Sequence, residues 1–148
     1  MKNWDKTRVA ILIIFIAWII LLVTCYVRAN ADPRKPSADE MIPGHATAYC
    51  LHGITASGEE THDRICASCK DRLGCTIVLW QRLPDGSVGE YIGRYECRDT
   101  GGSPGIKGGT VIDVWKTDID QCQEFMDRVY EDGCQGKVYI QVIVPRVG

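Results

Sequence analysis

The chain has 148 residues, 24% of them charged and 45% hydrophobic, with a formal net charge of −2. That length suits one domain with appendages rather than several. Lys2, Lys6 and Arg8 against Asp5 make the first 27 residues +2 and leave −4 on the rest, which carries no Lys/Arg cluster; nucleic acid is therefore excluded as a partner.

The average composition hides a sharp split. Val9–Val27 (VAILIIFIAWIILLVTCYV) has no charged residue. As a helix it would run about 28 Å, close to the ~30 Å hydrocarbon core of a bilayer. The basic flank before it sets the N-terminus on the cytoplasmic side. The segment exceeds a typical signal-peptide apolar run of ~7–15 residues, which favours a retained single-span anchor. Ala29-Asn30-Ala31 nevertheless forms an A-x-A site, so cleavage after Ala31 and release is the alternative. Lipidation of Cys25 fits less well, because Thr24 is bulkier than the small residue such sites carry. Either main route puts the remainder outside the cytoplasm, on or near the cell membrane.

Residues 28–44 are polar, hold three prolines and read as an extended stalk. The folded domain is expected over 45–148. Ala46–Leu51 is strand-like, and His52–Asp63 reads as a polar loop. Thr76–Arg82 is an apolar, β-branched run. Leu83-Pro84-Asp85-Gly86-Ser87 has turn chemistry, so Gly89–Arg98 becomes the return strand of a hairpin. Asp99–Thr110 has five glycines in 12 residues and reads as a loop, and Val111–Trp115 as another strand. Asp118–Asp132 shows helical spacing of Ile119, Cys122, Phe125, Met126 and Val129. Thr117 or Asp118 caps its start and Gly133 stops it. Lys137–Pro145 is a last strand, rich in Val and Ile. Short strands and one helix point to a closed or semi-closed β architecture.

Seven cysteines follow the apolar segment: Cys50, Cys66, Cys69, Cys75, Cys97, Cys122 and Cys134. In an oxidising compartment so many thiols imply disulfides, and because seven is odd at least one stays free or pairs between chains. Cys66-x-x-Cys69-x5-Cys75 with His52 and His62 has enough ligands for zinc, but the spacing is irregular. A redox CxxC lacks its usual βαβ surroundings. No metal or cofactor is assigned, and buried thiols or disulfides account for most of these residues. Trp80, Trp115 and Tyr49 are assigned to the core rather than to ligand stacking.

The chemistry concentrates between Asp99 and Asp113. One carboxylate closes a strand, a glycine-rich loop with Lys107 follows, and Asp113 sits among Val111, Ile112, Val114 and Trp115. Partial burial there would raise the Asp113 pKa and suit it to acid catalysis, and Asp99 would push the same way. The plainer alternatives are that Asp99 caps a turn, Asp113 faces solvent and Lys107 is a solvated loop charge.

Asp99-Thr100-Gly101-Gly102, Ile106-Lys107-Gly108 and Ile112-Asp113 follow one another in order. Thr47-Ala48-Tyr49 and Thr55-Ala56-Ser57-Gly58 precede them. Together these resemble the signature of the three-aspartate (3D) domain, over roughly Ala46 to Val144. The resemblance implies a six-stranded double-psi β-barrel with one α-helix, preceded here by the N-terminal transmembrane helix. It also implies a likeness to the catalytic domain of membrane-bound lytic transglycosylase A, which cleaves peptidoglycan glycan strands and leaves an anhydro sugar. Because the sugar's own hydroxyl is the nucleophile, one carboxyl group can act as acid and then as base, unlike the paired carboxylates of most glycosidases. Asp113 matches the acid/base position and Asp99 the supporting carboxylate. Thr55, Gly58, Thr100, Gly101, Gly102 and Lys107 match the substrate-binding segments. Two features depart from the pattern. Ser103-Pro104-Gly105 looks inserted, and Ala67-Ser68-Cys69 stands where Ala-x-Asp would supply the first aspartate. A non-catalytic module that binds glycan or a protein partner is the alternative function.

Overall fold

A computed structural model describes residues 11–22 and 36–145. Residues 1–35 and 36–148 form two separate units. In the first, residues 11–22 are helical (α1) with exposed apolar side chains. Twelve residues rise only about 18 Å. Among the described residues no helix is long and apolar enough to cross a membrane. The rest of the expected span, residues 9, 10 and 23–27, lies outside the described residues, as do Cys25 and Ala29-Asn30-Ala31.

The second unit is mainly β. Its strands are β1 (Ile42–Tyr49), β2 (Ile65–Ser68), β3 (Thr76–Arg82), β4 (Val88–Thr100), β5 (Val111–Trp115) and β6 (Lys137–Ile143). They form one mixed sheet in the closed order β1-β5-β2-β4-β3-β6, with β6 returning to β1. β1 runs parallel to β5, and β2 parallel to β4; the other pairs are antiparallel. Each parallel pair requires a long crossover, which explains why the strand order departs from chain order.

The β3–β4 hairpin forms as its turn chemistry requires. Gly86 takes φ +82°, and the Asp85 carboxylate accepts from the Ser87 amide at 2.9 Å and the Ser87 hydroxyl at 2.7 Å. These bonds hold the exposed Asp85 carboxyl below its ordinary pKa. β4 continues two residues beyond the expected Arg98, so Asp99 and Thr100 belong to a strand and not to a loop.

Inward positions of the strands supply Ile77, Leu79, Ile92, Ile112, Val114, Val138 and Ile140 to one core cluster. The helix α3 (Ile119–Tyr130) adds Phe125 and Val129. Asp118 caps it by accepting from the Gln121 amide at 2.9 Å. Ile119 does not join the apolar face: it is 70% exposed. Burying a side chain the size of Ile or Leu contributes roughly 1.5–3 kcal/mol, so these positions dominate the barrel's stability.

Three further features differ from the sequence reading. The fold starts before His45. Ser37 and Glu40 make a reciprocal capping box around the 3-10 turn Ala38–Glu40, Met41 is buried, and Ile42 and Pro43 already pair with β6. Pro43 is tolerated because β1 meets β5 only from His45 onward, leaving that end of the strand paired on one side. β2 was not expected, since Ile-Cys-Ala-Ser lacks both alternation and β-branched density, yet all four residues are buried. The glycine-rich segment holds a helical turn, α2 (Pro104–Lys107). Ser103 caps it and Pro104 opens it, so the apparent insertion is the start of a helix.

Candidate functional site

The register places four residues in one row. Thr47 on β1 pairs with Asp113 on β5; Asp113 pairs with Ala67 on β2; Ala67 pairs with Asp99 on β4. Directly paired residues face the same side of a sheet. Ile112 and Val114 point into the core, so this row faces outward. The two carboxylates stand on either side of Ala67, with their Cα atoms two strand spacings apart, roughly 10 Å.

Asp113 is half-buried and accepts a 2.7 Å hydrogen bond from the Thr47 hydroxyl. Burial pushes its pKa above the ordinary carboxylate value; the Thr47 bond opposes this, and the Asp99 charge adds to it. The group therefore keeps a proton to higher pH than a free aspartate, as a general acid requires.

Asp99 is tied more tightly. Its Oδ1 accepts from the Thr100 amide at 2.8 Å and the Ala56 amide at 3.0 Å, and its Oδ2 from the Tyr49 hydroxyl at 3.3 Å. Burial, then the Asp99 charge, raises the Tyr49 pKa far above its ordinary value, so the phenol stays protonated and donates. The Ala56 bond docks the Thr55–Gly58 turn onto β4, helped by the Ser57 amide on the Arg98 carbonyl at 3.0 Å. Thr55 is buried and its hydroxyl is used on the Ser57 hydroxyl and the Glu59 carbonyl. Gly58 takes φ +87°. Thr55 and Gly58 thus build the turn that holds Asp99.

Beside Asp99 opens a groove of about 450 Å³ lined by Ala56, Ser68, Cys69, Lys70, Thr100 and Lys107, among others. Gly101 also lines it; a Cβ there would lie 2.5 Å from Ile106 Cδ1, and that buried isoleucine pins the loop. Gly102 is exposed and takes no part in the lining, and neither does Asp113. Arg72 braces the groove by donating to the Gly109 carbonyl at 2.7 Å and reaching the Ser68 hydroxyl at 3.5 Å.

Of the residues singled out in the sequence, Thr100, Gly101 and Lys107 line the groove, whereas Asp99 and Asp113 stand in the strand row and do not line it. The sequence assigns Tyr49 to the core and does not single out Arg72 or Lys70. Trp115 is buried, with its indole N–H on the Leu51 carbonyl at 2.9 Å and His52 edge-on to its ring. Cys66 faces the core whereas Cys69 faces the groove, so the CxxC does not act as one pair. No group of three or more His, Cys, Asp or Glu among the described residues could hold a metal. Among the described residues the seven cysteines are not bonded to one another in this structure.

No family model, curated protein or solved structure matches the chain.

The Asp113 environment has a measurable consequence for stability. Its folded-state pKa is raised, so the native state holds the proton more tightly than the unfolded chain. Folding stability then falls as pH rises from the ordinary carboxylate value through the raised one, and the cost is fully present at neutral pH. Asp113→Asn removes that cost. It is expected to be more stable than the parent at pH 7 and to lose the advantage near pH 3. Urea titrations at both pH values check this; equal stability at pH 7 would show that the carboxylate is well solvated.

Proposed function

We propose that the protein is an extracytoplasmic cell-wall protein whose barrel, of the double-psi type, cleaves peptidoglycan glycan strands in the manner of a lytic transglycosylase. Asp113 protonates the leaving glycosidic oxygen and then takes the proton of the sugar hydroxyl that closes the anhydro ring. Asp99 stands beside it as a supporting carboxylate, fixed by three hydrogen bonds. The observation that carries this reading is the outward row Thr47–Asp113–Ala67–Asp99, in which Asp113 alone combines partial burial, a raised pKa and one short hydrogen bond. Two crossed parallel pairs in a ring of six strands favour the double-psi assignment. The apolar N-terminal segment supports a single-span membrane anchor, with secretion after cleavage at Ala31 as the alternative. The test is incubation of the purified protein with cell walls and mass analysis of the soluble fraction, where anhydro-muropeptides are expected. No soluble product from several wall types would remove the catalytic reading.

A second reading is favoured by Cys69. It occupies the position of the family's first aspartate and lines the groove, whose lining includes Lys70 and Lys107 but no carboxylate. A non-catalytic module would bind wall glycan there through its anionic substituents. Under either reading Lys107→Ala is expected to weaken wall binding several-fold, with more loss at low than at high salt. Co-sedimentation with purified walls at two ionic strengths checks it, and undiminished binding would place the glycan elsewhere.

A further inference from the structure

A second groove, of about 520 Å³, opens at the other end of β2 from the Asp99 groove and shares no lining residue with it. Its size falls in the ~300–1,000 Å³ range of small-molecule sites. Arg64 directly precedes β2 and Lys116 directly follows β5, and the antiparallel register of these strands brings the two level. Arg94 on β4 completes a trio of cations in the lining. The three are far apart in sequence, so only the fold gathers them.

Their charge is not used within the molecule. Among the described residues, Arg64, Arg94 and Lys116 make no ion pair. Two carboxylates share the lining. Glu96 is taken up by Arg98, whose Nη2 and Nε donate to it at 2.7 and 3.0 Å. Asp63 is left against three cations, so the groove is net positive in a chain of net charge −2.

The floor adds a donor. Tyr95 is only 7% exposed and lines the groove, and its hydroxyl makes no hydrogen bond among the described residues. Burial pushes its pKa up to about 12, so the phenol keeps its proton. Gly93 makes room for it: a Cβ there would lie 2.5 Å from the Tyr95 hydroxyl oxygen. Lys116 Nζ stands 5.9 Å from the centre of the same ring. Tyr91 presents an exposed ring in the lining. Arg64 has φ +67°, a left-handed backbone that strains a residue with a side chain and clusters at functional positions. Glycine would sit there without strain. The position holds arginine nonetheless, and no ion pair among the described residues uses its guanidinium.

We propose that this groove binds an oxyanion carried on a sugar-sized ring, a sugar phosphate or a uronate. Arg64 and Arg94 hold the oxyanion by charge-assisted hydrogen bonds, their planar forks matching phosphate and carboxylate alike. Lys116 adds a point charge and the Tyr95 hydroxyl a neutral donor. The Tyr91 ring offers an apolar face to the body of the ligand. The site goes beyond the proposed cleavage and does not depend on it, since neither Asp99 nor Asp113 lines it.

The full chain, isotope-labelled and held in neutral detergent micelles, is titrated with glucose 6-phosphate, glucuronate and glucose while its amide NMR shifts are followed. Saturable shifts at Arg64, Arg94 and Lys116 are expected with one or both anions and none with glucose. A response to one anion alone identifies the group as phosphate or carboxylate. No saturable shift with either anion, or an equal response to glucose, would overturn the proposal. Shifts centred on Thr100 and Lys107 would overturn it too, by placing the anion in the Asp99 groove. Arg64→Gly removes the cation and suits the left-handed backbone, so the barrel is expected to stay folded. Affinity should fall by roughly tenfold, the weight of one hydrogen bond to a charged group. Arg94→Gln, exposed on β4, is expected to do the same. Unchanged affinity in both variants would remove the site. Shifts and affinities read this way are independent of product release from walls, so failure of either leaves the other standing.

Discussion

Asp113→Asn is expected to lower the release of anhydro-muropeptides by roughly 10²–10⁴-fold, the usual weight of a positioned acid/base. The asparagine keeps the shape of the side chain and can still face the Thr47 hydroxyl, so the barrel should be intact. What it loses is the titratable proton. Since the same substitution is expected to gain stability at pH 7, loss of activity cannot be put down to unfolding. A variant that is more stable and inactive supports the acid/base role directly. A variant that is more stable and fully active would move catalysis away from the row, or leave the binding reading as the better one. Time courses of soluble muropeptides from purified walls, alongside urea denaturation, supply both numbers.

The largest expected effect on stability is at Ile140. It lies wholly buried on β6, pairs with Ile42 on β1 and Leu79 on β3, and its Cδ1 would lie 2.5 Å from a Cβ added at Gly44. Ile140→Ala leaves a cavity at the seam where the last strand closes the ring. The cost is expected at about 2–5 kcal/mol. Domains of this size hold only about 5–15 kcal/mol in total, so the variant should unfold at markedly lower urea. A loss under ~1 kcal/mol would mean that neighbouring side chains collapse into the space.

The elements that sequence reading located best are those with strong local signals. The Pro-Asp-Gly turn, the Val/Ile-rich strands and the capped helix each follow from a few adjacent residues. The elements it missed depend on partners far along the chain. Ile65–Ser68 is a strand because β4 and β5 flank it, not because of its own composition. Pro43 looked like linker because its tolerance depends on where β5 begins. The site was legible in part for the same reason. Asp99 and Asp113 stood out through a run of motifs, but the cross-strand register that seats Ala67 between them has no sequence signature. Thr55 and Gly58 stand out in the sequence through their motif; what it does not reveal is that they build a turn whose Ala56 amide bonds to Asp99. The sequence assigns Tyr49 to the core, the commoner use of an aromatic on a strand; only its bond to Asp99 marks it out.

The seam between β1 and β6 also constrains how the chain can be made. The first strand finds its two neighbours only in β5 and β6, so it must wait for nearly the whole sequence before either of its edges is satisfied. Such non-local pairing is slow and leaves open strand edges in the meantime. A chain that emerges N-terminus first cannot close until Lys137–Ile143 has arrived.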